Sequence, residues 1–134
     1  MTDKKSIIKK ILNMKTIAVV GMSPRLERPS NYVSEYMIQQ GYSIIPVNPR
    51  HSKINSKKSF KSILDIPDLI DIVNVFRQSQ YVLPIVKNAI SINVKVLWLQ
   101  DGVQNEEAEQ LARESNLIVV SNDCLMRWHQ MLNI

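Results

Sequence analysis

The chain has 134 residues, 45% hydrophobic and 22% charged, which fits one globular domain with a real core and excludes disordered and collagenous classes. Its 17 Lys and Arg against 12 Asp and Glu leave a formal charge of +5, suited to nucleic acid, a membrane surface or a phosphorylated small molecule. No basic run of five, no aromatic RNA-binding motif and no apolar run near the roughly 20 residues of a membrane span occurs, so neither nucleic acid nor membrane is the expected partner.

From the N-terminus, lysines interrupt the apolar residues of Ser6-Ile7-Ile8-Lys9-Lys10-Ile11-Leu12, so no secretory core forms and residues 1–14 read as an amphipathic helix on the outside of the domain. The lone cysteine, Cys124, excludes an internal disulfide framework and a CxxC motif, and a reducing cytoplasm is the expected setting. Thr16 to Val20 is a β-branched run ending at Gly21, the pattern of a buried parallel strand. Ser30 is the expected cap of a helix carrying Tyr32, Val33, Tyr36 and Met37 on one face, and Gly41 ends it. A second strand, Ser43 to Val47, closes at Asn48-Pro49. Between Arg50 and Pro67 the pattern predicts an irregular crossover, with a helical turn or two near Phe60, Ile63 and Leu64.

Asp71 to Phe76 is the predicted third strand. Ser79 is a possible cap for the helix bearing Val82, Ile85, Val86, Ala89 and Ile90, with Pro84 in its first turn, where a missing N–H costs little. Val94 to Leu99 is a fourth strand; Asn105 caps a helix whose first turn holds Glu106 and Glu107, an arrangement the helix dipole explains without catalysis. Leu117 to Val120 is a fifth strand and Leu125 to Leu132 a closing helix. Alternating strands and helices at this spacing imply a single Rossmann-like α/β domain over 1–134, a five-stranded parallel sheet between two helical layers.

Ligands of such sheets bind beyond the carboxyl ends of the strands, where the strand order reverses. Those ends carry Gly21-Met22-Ser23-Pro24-Arg25 and Arg28, then Val47-Asn48-Pro49-Arg50-His51-Ser52-Lys53, then Phe76-Arg77, and then Gln100-Asp101-Gly102. Gly21 permits a tight turn and close backbone approach before a helix N-terminus. The full GxGxxG fingerprint is absent. At the end of the second strand, where NAD-binding domains keep an acid for the ribose hydroxyl, the chain offers Asn48, Arg50, His51 and Lys53. Cations there suit a phosphorylated ribose, either the 2′-phosphate of NADP or the 3′-phosphate of coenzyme A.

Several segments carry a resemblance: Gly21-Met22-Ser23-Pro24 with Arg28-Pro29-Ser30, Ile45-Pro46-Val47-Asn48-Pro49, Leu64-Asp65-Ile66-Pro67, Val75-Phe76-Arg77, and Trp98-Leu99-Gln100 with Gly102-Val103. Together they resemble the small CoA-binding-domain proteins, a family itself similar to the N-terminal domain of the succinyl-CoA synthetase alpha subunit. The resemblance runs from about Ile17 to His129. It implies a cleft for coenzyme A or an acyl-CoA built from the Gly21 to Arg25 loop with Arg28, the Val47 to Arg50 segment with Lys53, the Phe76-Arg77 turn and the Gln100 to Gly102 turn. It does not imply ligase chemistry, because the synthetase's phosphorylated histidine lies in a different domain.

No nucleophile, base and orienting group assemble in the pattern, so binding without catalysis is the expected role. The alternatives are an accessory subunit or enzyme of acyl-CoA metabolism, and an NADP-binding redox protein. Cys124 and His129 are five residues apart and face different sides of a helix, which makes packing their expected role; Trp98 reads as core, and Trp128 as a cover for the sheet edge.

Overall fold

The computed structural model of the protein describes residues 3–132. Met1 and Thr2, where the anticipated N-terminal helix would begin, lie outside them. Helix α1 (Lys4–Leu12) is capped by Asp3, whose carboxylate accepts the Ser6 N–H at 2.8 Å. It is more than an outer appendage: Ile8, Ile11 and Leu12 are fully buried, so their stripe completes the core rather than resting on it.

Five strands form one parallel sheet: β1 (Thr16–Val20), β2 (Ser43–Val47), β5 (Ile72–Val75), β6 (Val96–Leu99) and β7 (Ile118–Val120), in the order β2-β1-β5-β6-β7. The first two have the expected bounds, while the other three start one or two residues late. Asp71 still takes part in the hydrogen bonding at the foot of the sheet, its N–H donating to the Thr16 carbonyl and its carbonyl accepting from Val96, both at 3.0 Å, while its carboxylate accepts the Thr16 N–H at 3.2 Å. Strand order reverses between β1 and β5, because β2 lies on one side of β1 and all later sheet strands on the other. Pro46, unable to donate, is tolerated because β2 is the edge of this sheet.

Residues alternate between two cores. Ala18, Val20, Val73, Val75, Leu97 and Leu99 pack toward α3 (Val82–Ser91) and α4 (Glu106–Glu114). Ile17, Val19, Ile72, Val96 and Trp98 pack toward α1, α2 (Pro29–Gln39) and α5 (Leu125–Leu132). This is the expected three-layer architecture.

Local chemistry departs from the sequence expectation at three places. Helix α2 begins at Pro29 with Arg28 as its uncapped preceding residue, because proline at the first helical position has the right φ and no donor to waste. Ser30, the expected cap, instead accepts the Ser23 N–H on its Oγ at 2.9 Å. Ser79 starts a short 3-10 turn ahead of α3 and ties to the head of α4, accepting the Gln104 N–H at 3.0 Å. The expected irregular crossover holds a small antiparallel hairpin, β3 (Lys53–Ile54) and β4 (Lys57–Lys58), turned through Asn55 and Ser56 at positive φ.

Trp98 is fully buried at mid-sheet and its Nε1 donates to the Asp123 carbonyl at 3.0 Å, anchoring the start of α5. Trp98→Ala should therefore lower stability by about 3–5 kcal/mol, read as a reduced midpoint in urea unfolding. A loss below about 1 kcal/mol would mean that the sheet and α5 are not held through this side chain.

Candidate functional site

At the reversal point the backbone makes its closest approach. Gly21 follows β1 at φ +85°, and a Cβ added there would lie 3.1 Å from the Phe76 carbonyl oxygen at the end of β5. Side chains hold the loop beyond it. The Asn48 Nδ2 donates to the Met22 carbonyl at 2.9 Å, and the Asn31 Nδ2 to the Ser23 carbonyl at 2.8 Å. Asn31 and Asn55 also exchange amide hydrogen bonds, at 3.1 and 3.0 Å, which docks the hairpin on α2.

A cleft of about 450 Å³ opens at this edge, between the start of α2 and helix α5. That volume lies within the usual range for small-molecule sites. Gly21, Ser23, Arg28 and Ser30 form one wall; Phe76 and Gln100 line it from the strand ends. Asp101, Cys124, Met126, Arg127 and Gln130 form the opposite wall, and Tyr32 and Val33 of α2 extend the first.

Of the residues expected from sequence, Gly21, Ser23, Arg28, Phe76 and Gln100 therefore meet in one cavity. Met22 is a core residue with no exposed surface. Val47 is buried at the end of β2, and Asn48 acts as the loop clamp just described. Pro24, Arg25, Pro49, Arg50 and Lys53 are exposed outside the cleft, with Arg25 paired to Glu27 at 2.8 Å. Arg77 stacks on the Tyr81 ring, and the Gly102 N–H donates to Asn122. The α5 wall was missed, because its residues are spread over a helix whose periodicity signals packing. Its only sequence sign is polar Gln130 and Arg127 beside an apolar stripe.

The two walls differ electrically. Arg127 makes a fork to Asp101 at 2.9 and 2.8 Å and a further bond to Asp123 at 3.1 Å. Asp123 also receives Lys4 Nζ at 2.7 Å and the Trp128 Nε1 at 2.8 Å. Arg28, on the α2 wall, has no carboxylate partner among the described residues, nor do Arg50, Lys53 and Arg77 outside the cleft. His129 is buried, its Nδ1 2.7 Å from the Tyr36 hydroxyl, and burial lowers its pKa below the ordinary value. It is engaged with Tyr36 rather than Cys124.

Residues 15–130 match the family described as CoA binding domain. The chain belongs to that family. A relative of 40% identity over 126 residues, covering 93% of each chain, is the uncharacterised protein YneT of Bacillus subtilis. The 4-hydroxybutyrate–CoA ligase (ADP-forming) of Nitrosopumilus maritimus is 26% identical over 114 residues, 83% of this chain but 16% of the ligase. A solved structure of a hypothetical protein from Pyrococcus horikoshii superposes with a TM-score of 0.95 at 39% identity, covering 98% of this chain and 94% of that one.

Gly21→Ala should cost about 1–3 kcal/mol, because an L side chain is strained at this φ and meets the Phe76 carbonyl. Thermal unfolding of the variant, several degrees below the parent, is the check. The α5 anchor sets a pH dependence as well. Burial pushes the Asp123 pKa up, but the Lys4, Trp128 and Cys124 N–H bonds outweigh it and hold the carboxyl below its ordinary value. A carboxylate depressed in the folded state contributes fully above its unfolded pKa and loses that contribution as pH falls through the folded one. Asp123→Asn should flatten the part of the stability loss seen below about pH 4 in denaturant titrations, while leaving a lower plateau at neutral pH.

Proposed function

We propose that the protein binds coenzyme A or an acyl-CoA at this cleft, as a carrier or sensor and not as a catalyst. The observation that carries the reading is the meeting of Gly21, Arg28, Phe76 and the uncapped start of α2 where strand order reverses. Pro29 has no N–H and the Asn31 and Tyr32 N–H groups both reach the Arg28 carbonyl, so the α2 start offers a phosphate the Ser30 N–H and its positive dipole end, and the glycine lets the backbone approach it. The pyrophosphate lies on the Gly21 to Ser23 loop with Arg28 against it. The adenosine end extends over Val47 toward Arg50 and Lys53, and the pantetheine arm crosses Phe76 and Gln100.

Family membership and the likeness to part of a CoA ligase support coenzyme A over NADP as the nucleotide. Among the described residues no nucleophile, base and orienting group are joined by hydrogen bonds in the cleft, which favours binding over catalysis. No helix there is long and apolar enough to cross a membrane.

Calorimetric titration tests the reading. Coenzyme A should bind about 10- to 100-fold more tightly than 3′-dephospho-CoA, the worth of one charge-assisted contact. Arg50→Ala or Lys53→Ala should shrink that preference, and added salt should weaken coenzyme A because exposed cations are screened. Absence of coenzyme A binding at millimolar concentration, or tighter binding of NADP, overturns the proposal.

A further inference from the structure

Helix α5 is held differently at its two ends. Its start is anchored through Asp123, whose carboxylate takes Lys4, Arg127 and the Trp128 Nε1 and whose carbonyl accepts the Trp98 Nε1. Beyond Trp128, the one side-chain hydrogen bond that α5 makes among the described residues joins His129 Nδ1 to the Tyr36 hydroxyl of α2, at 2.7 Å. Tyr36 lies one turn past Tyr32 and Val33, and His129 stands beside Gln130; these three neighbours line the cleft. The His129 bond therefore ties the helix of one wall to the helix of the other.

Its surroundings favour the neutral ring. His129 is 5% exposed and packs edge to face with the Tyr36 and Tyr42 rings, at centroid distances of 5.4 and 5.9 Å. Tyr42 spends its hydroxyl on the Leu12 carbonyl at the end of α1, and Lys15, from the connection to β1, holds its Nζ 4.4 Å over the Tyr42 ring. On α2, Glu35 is bonded to Asn55; on α5, Arg127 and Asp123 are paired with each other and with Asp101 and Lys4. No carboxylate pairs with His129 among the described residues. Protonation makes both ring nitrogens donors and adds a charge that these neighbours leave unpaired in a largely dry site, which costs free energy. Burial first, and then the Lys15 charge, hold the His129 pKa below its ordinary value.

We propose that His129 and Tyr36 form a proton-operated latch on the cleft: with His129 neutral, α5 stays against α2, and protonation in mildly acidic conditions frees the last turn of α5 while Asp123 keeps its start in place. Control of coenzyme A binding by this latch rests on the reading above; the latch itself does not. A base whose pKa is lowered in the closed form takes up its proton more readily once released, so the closed seam is fully stable above about pH 6.5 and weakens as pH falls below it. A ligand that needs both walls opposes that opening, and binding and protonation disfavour each other by the same factor.

Magnetic resonance on the full chain follows the latch without a ligand. The His129 ring should titrate below its ordinary value, and over the same range the hydrogen-exchange protection of the His129 to Leu132 amides, corrected for the intrinsic rate, should fall by about tenfold while α3 keeps its own. His129→Gln, which can still meet the Tyr36 hydroxyl but does not titrate, should show no such fall. In calorimetry, coenzyme A affinity should drop about three- to tenfold more between about pH 7.5 and 5.5 in the parent than in this variant, as expected for one linked proton. His51 and the ligand phosphate titrate with both proteins and cancel in that comparison. A His129 ring that stays neutral down to about pH 5, or that titrates with the α5 protection unchanged, overturns the latch, and the parent protein alone decides this if the variant does not fold. Equal pH dependence of coenzyme A affinity in parent and variant overturns its control of the cleft. Release of the last turn of α5 on acidification with no coenzyme A binding at either pH overturns the binding reading and leaves the latch standing.

Discussion

The contact between the Gly21 backbone and the Phe76 carbonyl governs the whole edge. Where β1 and β5 run side by side and their connections depart to opposite faces, a crevice opens, and its floor is only as deep as the first turn is tight. A side chain at position 21 would fill that floor from 3.1 Å away. With none there, the chain turns sharply, the Gly21 N–H still bonds to the Val47 carbonyl at 2.9 Å, and the sheet's hydrogen-bond pattern continues past the strand ends. The loop that follows is then close enough for Asn48 and Asn31 to hold it from either side. Rigidity of this kind matters to binding, because a loop already fixed does not lose further freedom when a ligand arrives.

That fixing extends outward in steps. Asn31, fully buried in the first turn of α2, bonds both to the loop and to Asn55 in the hairpin, and Asn55 reaches Glu35 one turn along at 2.7 Å. The hairpin carrying Lys53 is thus tied to the helix whose start faces the cleft. A basic segment that sequence presents as a solvated loop is held at a set position relative to the Gly21 turn. On the far wall the holding is ionic instead, centred on Asp123, and because Arg127 and Asp101 are half exposed their fork contributes through geometry more than through energy.

Much of the architecture was legible because buried parallel strands are short β-branched runs bounded by turn residues. Thr16 to Val20 and Ser43 to Val47 have no competing helical period, so their bounds agree with the structure. Asn105 was legible for the same local reason, its side chain accepting the Ala108 N–H at 3.0 Å. The hairpin was not. Two-residue strands have too little pattern to register, and the Asn55-Ser56 turn lacks the glycine that marks such turns most strongly. The start of α2 was misjudged because Ser30 and Pro29 give competing signals, and only the neighbouring Ser23 N–H decides which role Ser30 takes. The α5 wall was illegible because a residue such as Cys124 satisfies the packing pattern and the cleft at once.

Several departures from local folding rules lie at or near this edge. Gly21 and Gly102 take positive φ, α2 starts without a side-chain cap, and Asn74 leaves Oδ1 sealed without a partner. At the opposite edge Gly41, Asn93 and Asn116 take positive φ just after α2, α3 and α4, an ordinary way to end a helix; α1 and α4 are capped by Asp3 and Asn105, and both faces of the sheet are filled mainly by aliphatic residues. An unpaired buried amide group costs about 1–3 kcal/mol, and a missing cap about 1 kcal/mol more. Sequences tolerate such costs where the exposed groups serve a ligand, and stability optimised at this edge would close the groups a ligand needs. The cleft is thus marked by where the protein declines to satisfy itself as much as by its shape.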